Sequence, residues 1–262
     1  MRKYLKPMLW GFLVTVHLAL VLFAMRKFEN FKTVDSKGYI NLAKTLYATG
    51  SYTVPNDPYI DLFRPPGYPI FLVVNFILDG DNLELVPMTQ TCALFLTAFL
   101  LYRIGKESRN SKAGKVAALL YLINPNAAFW SMMVLSETLA ALFLVLTIWL
   151  LNRYWQSKQL RWMLAAGFAL GVCSLIRPIT YPLWFVWGGI MLLSLLHASR
   201  QQRFMTIKAV LIFVFGVLFV VTPWQLRNYV VKDKFTIDLL KKEQNKNRIL
   251  KIIAAAEKQF TS

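Results

Sequence analysis

The residues that could do chemistry in this chain are few, and they fall into one pattern. Asp35 and Arg64 stand in the stretch 33–80, just after the first apolar run. Glu137 opens a later apolar run, and Arg177 and Arg227 close two others, each a few residues from a proline expected to break its helix. A guanidinium fork binds phosphate oxygens bidentately, and a carboxylate accepts the proton of an attacking hydroxyl. Acids beside arginines therefore suit group transfer from a lipid-linked phosphate donor to a hydroxyl. Singly, each residue has a plainer reading: Asp35 as the N-cap of a short helix, Glu137 as a carboxylate favoured by a helix dipole, the arginines as side chains snorkelling to an interface. Their convergence on one membrane face is what favours a site.

The membrane follows from composition. Of 262 residues 56% are hydrophobic, and the mean hydropathy of +0.46 is too apolar for a soluble domain of this length. Crossing about 30 Å of hydrocarbon takes roughly 17 to 25 residues, and runs of this kind lie near 9–25, 86–104, 113–130, 132–151, 162–176, 179–196 and 207–224. The expected fold is all-α, a polytopic membrane helical bundle of about seven transmembrane helices. Four connecting segments carry 14 basic residues against the single acid Glu107: Arg2, Lys3 and Lys6; Arg103, Lys106, Arg109, Lys112 and Lys115; Arg153, Lys158 and Arg161; Arg200, Arg203 and Lys208. The positive-inside rule makes these cytoplasmic, with the N-terminus among them as an uncleaved signal anchor. They supply most of the formal charge of +17, so no nucleic-acid partner is needed to explain it.

Asp35, Arg64, Glu137, Arg177 and Arg227 then fall on the extracytoplasmic face. In the first outer loop, 26–85, the spacing of Tyr39, Leu42, Ala43 and Leu46 predicts an interfacial helix that Gly50 ends. Arg64-Pro65-Pro66-Gly67-Tyr68-Pro69 reads as a stiff, non-helical turn, and the short apolar run after it as a second interfacial or half-inserted helix. Trp130, Tyr181, Trp184, Trp224 and Tyr229 suit either sugar stacking or an ordinary interfacial belt.

Elsewhere the signals are weak. Gly167 and Gly171 form a GxxxG spacing suited to close helix packing. Cys92 and Cys173 read as small core residues, and His17 and His197 do not make a metal site. No Walker loop, GxSxG elbow or nucleotide-binding glycine pattern is present, which argues against a soluble nucleotide donor and an ATP-driven pump. A transporter or channel would need charge in mid-membrane, and almost none lies there.

The blocks in order are Asp35 with Tyr39, Leu42, Ala43, Leu46, Gly50 and Tyr52; RPPGYPIFL from Arg64 to Leu72; VLSETLAALFL around Glu137; SLIRPITYP around Arg177; and TPWQLRNYVV around Arg227. Together they resemble the polytopic, polyprenyl-phosphate-sugar-dependent glycosyltransferases of the C-type (GT-C) superfamily, in the protein O-mannosyltransferase and lipid A aminoarabinose transferase group. The resemblance implies Asp35 as catalytic base, and Arg64, Tyr68, Glu137, Arg177 and Arg227 as substrate-binding residues. It implies a lipid-linked sugar donor, an inverting transfer to an acceptor hydroxyl, and a bundle with two interfacial helices in its first outer loop. Cofactors stay unknown, with a divalent metal left open; the sugar and acceptor are unnamed. Two departures stand out: Ser36 follows Asp35 where some relatives carry a second acid, and relatives run on through further spans. The glycosyltransferase domain is expected over 1–232 and a basic, amphipathic tail over 233–262. The setting expected is a bacterial inner membrane. The alternative is a non-catalytic accessory or truncated protein of the same fold, beside a larger transferase partner.

Overall fold

The computed structural model describes residues 2–27, 31–53, 64–80, 83–193 and 199–232; the expected tail 233–262 lies outside them. Among the described residues all regular structure is helical: α1 (Arg2–Arg26), α2 (Val34–Thr49), α3 (Gly67–Asp79), α4 (Val86–Glu107), α5 (Ser111–Ile123), α6 (Pro125–Met132), α7 (Glu137–Ser157), α8 (Leu160–Ile176), a 3-10 turn (Pro178–Thr180), α9 (Leu183–Leu193) and α10 (Arg200–Lys232). Two helical stretches, Glu137–Ser157 and Gln201–Val230, are long and apolar enough to cross a membrane by length and composition, and further apolar helices are shorter. The chain is a helical membrane protein.

Several boundaries depart from the sequence reading, each for a local reason. The run 113–130 is two helices rather than one span. Asn124 leaves the helix at φ −69° and ψ 114° and caps α6 by accepting from the Asn126 amide, with Pro125 in the first turn. The run 132–151 starts late, because Met133 is extended and regular helix begins only at Glu137. Pro69 lies inside the first turn of α3 rather than in a non-helical turn, where the amide a proline lacks would have had no helical partner. Pro223 likewise does not break its helix, since α10 continues through it to Lys232. Cys173 is buried as expected, but Cys92 is exposed.

Asp35 is not the N-cap of α2. Thr33 caps it: its hydroxyl accepts from the Ser36 amide at 3.2 Å, and the Ser36 hydroxyl accepts from the Thr33 amide at 2.9 Å. This reciprocal box satisfies the helix start and leaves the Asp35 carboxylate for other work. At the far end Gly50, at φ +69°, takes the left-handed turn and donates to the Leu46 carbonyl at 2.9 Å.

Helix α8 is the spine. Its buried side chains Met163, Ala166, Leu170, Cys173 and Ile176 meet Phe213, Val217 and Val221 of α10 in one core. Gly167 and Gly171 face α10 so closely that a Cβ at Gly167 would run into the Phe213 carbonyl, and one at Gly171 would sit 2.7 Å from the Val220 Cβ. Gly216 answers from α10, where a Cβ would lie 2.8 Å from the Leu164 carbonyl oxygen. Small residues at such a contact let backbones approach within the membrane, and overpacking costs about 1–3 kcal/mol or more. Gly167→Leu is therefore expected to lower the unfolding temperature of the purified protein markedly. Gly189→Leu, at a site with nothing within 4 Å of an added Cβ, is expected to leave it nearly unchanged.

Candidate functional site

Asp35 stands in the first turn of α2 with its side chain 72% exposed, and Arg64 reaches it from the loop before α3. Arg64 Nη2 donates to Asp35 Oδ1 at 3.0 Å. Gly38, one helical turn beyond Asp35, makes this possible: a Cβ there would lie 2.6 Å from Arg64 Nε. The guanidinium lies 4.4 Å from the centre of the Tyr39 ring, a cation–π contact that holds its plane. An ion pair this exposed contributes only about 0.2–1 kcal/mol. Stability does not account for the device that builds it.

Tyr52, just past α2, ties this pair to the other end of the sequence. Its hydroxyl donates to the Arg64 carbonyl at 2.7 Å, and its own carbonyl accepts from Arg227 Nη2 at 3.0 Å. The Arg227 guanidinium lies 4.8 Å from the Trp224 ring and 5.7 Å from the Tyr52 ring. Those two rings meet edge to face at 5.1 Å. Since Pro223 does not stop α10, Arg227 is carried on helix, one turn from the buried Trp224.

Gly67 joins α3 to the end of α8. A Cβ on it would lie 2.7 Å from the Ile176 amide nitrogen and from the Leu175 carbonyl, so the backbone following Arg64 rests on the backbone preceding Arg177. Arg177 leaves α8 in an extended conformation, and its Nη1 pairs with Glu137 Oε1 at 2.8 Å. Glu137 Oε2 is buried and meets no hydrogen-bond partner among the described residues.

Tyr68, expected among the binding residues, is fully buried. Its hydroxyl donates to Gln90 Oε1 at 3.2 Å, and its ring meets Tyr39 edge to face at 4.9 Å. Burial first, then the neighbouring Tyr39 and Glu137, push its phenol well above the usual range, so it stays protonated and donates. Gln90 in turn donates to the Ser131 and Met133 carbonyls, at 3.2 and 2.6 Å. These bonds brace the non-helical segment that delivers Glu137. Tyr68 and Gln90 are thus struts between α3, α4 and the start of α7.

Asp35, Arg64, Glu137, Arg177 and Arg227 are therefore linked through Tyr52, Gly67 and Tyr68 into one constellation at one end of the bundle. Of the expected ring set, Trp224 is buried within it, whereas Trp130 and Tyr229 are exposed. Gly38 and Gln90 carry much of the geometry without standing out in the sequence, and Tyr52 stands out there only as part of the resemblance. Their signals were a glycine inside a helical pattern, a tyrosine beside the helix stop and an amide inside an apolar run. Among the described residues no three His, Cys, Asp or Glu side chains gather as metal ligands would.

Three arginines and two carboxylates thus gather at one end of a bundle that is helical throughout the described residues. Residues 63–226 match the dolichyl-phosphate-mannose-protein mannosyltransferase family, and the chain belongs to that family. It is accordingly a membrane glycosyltransferase of the GT-C type. No curated protein and no solved structure matches the chain.

Proposed function

We propose that the protein moves a sugar from a polyprenyl-phosphate donor to an acceptor hydroxyl at the extracytoplasmic face of a bacterial inner membrane, with inversion at the anomeric carbon. Asp35 takes the proton of the acceptor hydroxyl as its oxygen attacks that carbon. The bond from the anomeric carbon to the phosphate oxygen breaks on the opposite side, and its electron pair leaves with polyprenyl phosphate. Arg64 steadies the growing phosphate charge. A guanidinium carries five N–H donors, so its bond to Asp35 leaves others for the donor. Arg177 and Arg227 complete the phosphate contacts, and Glu137 Oε2 accepts from a sugar hydroxyl.

The exposed Asp35 carboxylate with Arg64 anchored 3.0 Å from it carries this reading: the carboxylate is open to an acceptor hydroxyl, and the guanidinium keeps N–H donors that can reach a phosphate. The test is transfer by purified full-length protein in liposomes, over a panel of polyprenyl-phosphate sugars. Turnover with at least one donor supports the proposal, and no turnover with any donor by folded protein contradicts it. Tyr52→Phe, which removes one hydrogen bond and keeps the ring, is expected to lower kcat/KM by about tenfold without changing the unfolding temperature.

A further inference from the structure

The end of α4 away from Gln90 carries a second feature that transfer does not use. Glycines pin α4 to α5 there: a Cβ at Gly114 would lie 2.6 Å from the Tyr102 carbonyl oxygen, and one at Gly105 would run into the Gly114 backbone. Beyond the pin the two helices stay packed through Ala98, Ala118 and Leu122, and along their seam runs a cavity of about 400 Å³, walled by Phe95, Phe99 and Tyr102 of α4 and by Ala118 and Leu122 of α5, with Lys115 as its one charged lining residue. Lys115 sits a turn into α5 and Leu122 seven residues further on, so the groove runs roughly 10 Å from a cationic mouth into apolar surroundings. A cavity of that shape fits an amphiphile with an anionic head and an apolar tail.

The charge around the mouth says which kind. Lys106, Arg109, Lys112 and Lys115 are all exposed, and Lys115 makes no salt bridge among the described residues. The one acid of the segment, Glu107, is already taken. Arg103 and Arg153 pair with its Oε1, and Trp149 Nε1 donates to its Oε2 at 3.1 Å. A zwitterionic headgroup gains little from such a field, whereas an anionic one gains about 1 kcal/mol per nearby cation.

We propose that the α4–α5 groove holds one acyl chain of an anionic phospholipid from the leaflet in which the 108–110 turn lies, with the lipid phosphate on Lys115. The lipid lies along the seam of the two helices, beyond the glycine pin, and is a resident of the fold rather than a substrate.

The test is lipid retention by the full-length protein in nanodiscs of equal phosphatidylglycerol and phosphatidylcholine, read by native mass spectrometry after extraction. Retained phosphatidylglycerol is expected to exceed phosphatidylcholine fivefold or more, about fivefold being the factor each nearby cation supplies. Lys115→Gln, at an exposed position, is expected to lower that ratio about fivefold. Lys208→Gln, an exposed cation on α10, is expected to change nothing. Equal retention of the two lipids by the unaltered protein, or an unchanged ratio in Lys115→Gln, would overturn the assignment. So would displacement of phosphatidylglycerol by polyprenyl phosphate at equal concentration.

Discussion

Asp35→Asn is expected to abolish sugar transfer, by about 10²–10⁴-fold, while the protein folds as before. The size of the loss is what a positioned general base contributes, and the other carboxylate of the constellation, Glu137, sits at the start of a different helix with its open oxygen buried rather than exposed as Asp35 is. The unchanged fold follows from how α2 is built. Its start is capped by Thr33 and Ser36, and Asp35 is 72% exposed. The carboxylate's own contribution to the helix is limited to about 0.3–1 kcal/mol of dipole interaction. The asparagine carbonyl can still accept from Arg64, so the loop keeps its anchor. Initial rates of transfer beside thermal unfolding of the two purified proteins check the prediction. A parallel loss of folding and rate would show that Asp35 acts on structure.

Gly67→Leu is expected to lose both transfer and stability, and its contrast with Gly38→Ala is informative. At Gly67 the added atoms meet the Leu175 and Ile176 backbone at 2.7 Å. A buried backbone cannot swing aside, so α3 must lift from the end of α8 and carry Arg64 away from Arg177. Misplacing a positioning group by about 1 Å costs about 10²-fold in rate, and forcing atoms into a packed contact costs about 1–3 kcal/mol or more. At Gly38 the atoms nearest an added methyl belong to the Arg64 guanidinium, the far end of a flexible side chain. Gly38→Ala is therefore expected to separate Arg64 from Asp35 and slow transfer while the unfolding temperature holds. Rates and unfolding temperatures of both variants check the pair of predictions.

Much of this architecture was legible because it is local. Gly50 ends α2, the short apolar run after the proline turn is the helix Gly67–Asp79, and Glu137 opens α7. Periodicity, a left-handed glycine and an apolar run act over a few residues and survive packing. Where the structure departs from the sequence pattern the cause is equally local, one capping or proline preference yielding to a neighbour. Thr33 and Ser36 out-competed Asp35 for the helix start, Asn124-Pro125 split an apolar run long enough to span, and Pro223 was absorbed into a helix that packing sustains on both sides. What could not be read locally was the contact map of the site. The bond from Arg227 to Tyr52 joins positions 175 residues apart, and the fit of Gly67 against Leu175 and Ile176 appears only once two helix ends meet. The five polar residues were therefore visible as a set before anything told which of them touch.

Donor affinity and turnover measured side by side for the unaltered protein, Asp35→Asn and Arg64→Ala test the central claim most directly. The probe is a polyprenyl-phosphate sugar that the unaltered protein turns over, in liposomes. If base and phosphate anchor are separate groups held together, Asp35→Asn binds the donor about as tightly as the unaltered protein and fails to transfer, whereas Arg64→Ala loses donor affinity by about tenfold or more. Transfer by Asp35→Asn at the unaltered rate, or donor binding indifferent to Arg64, would contradict it.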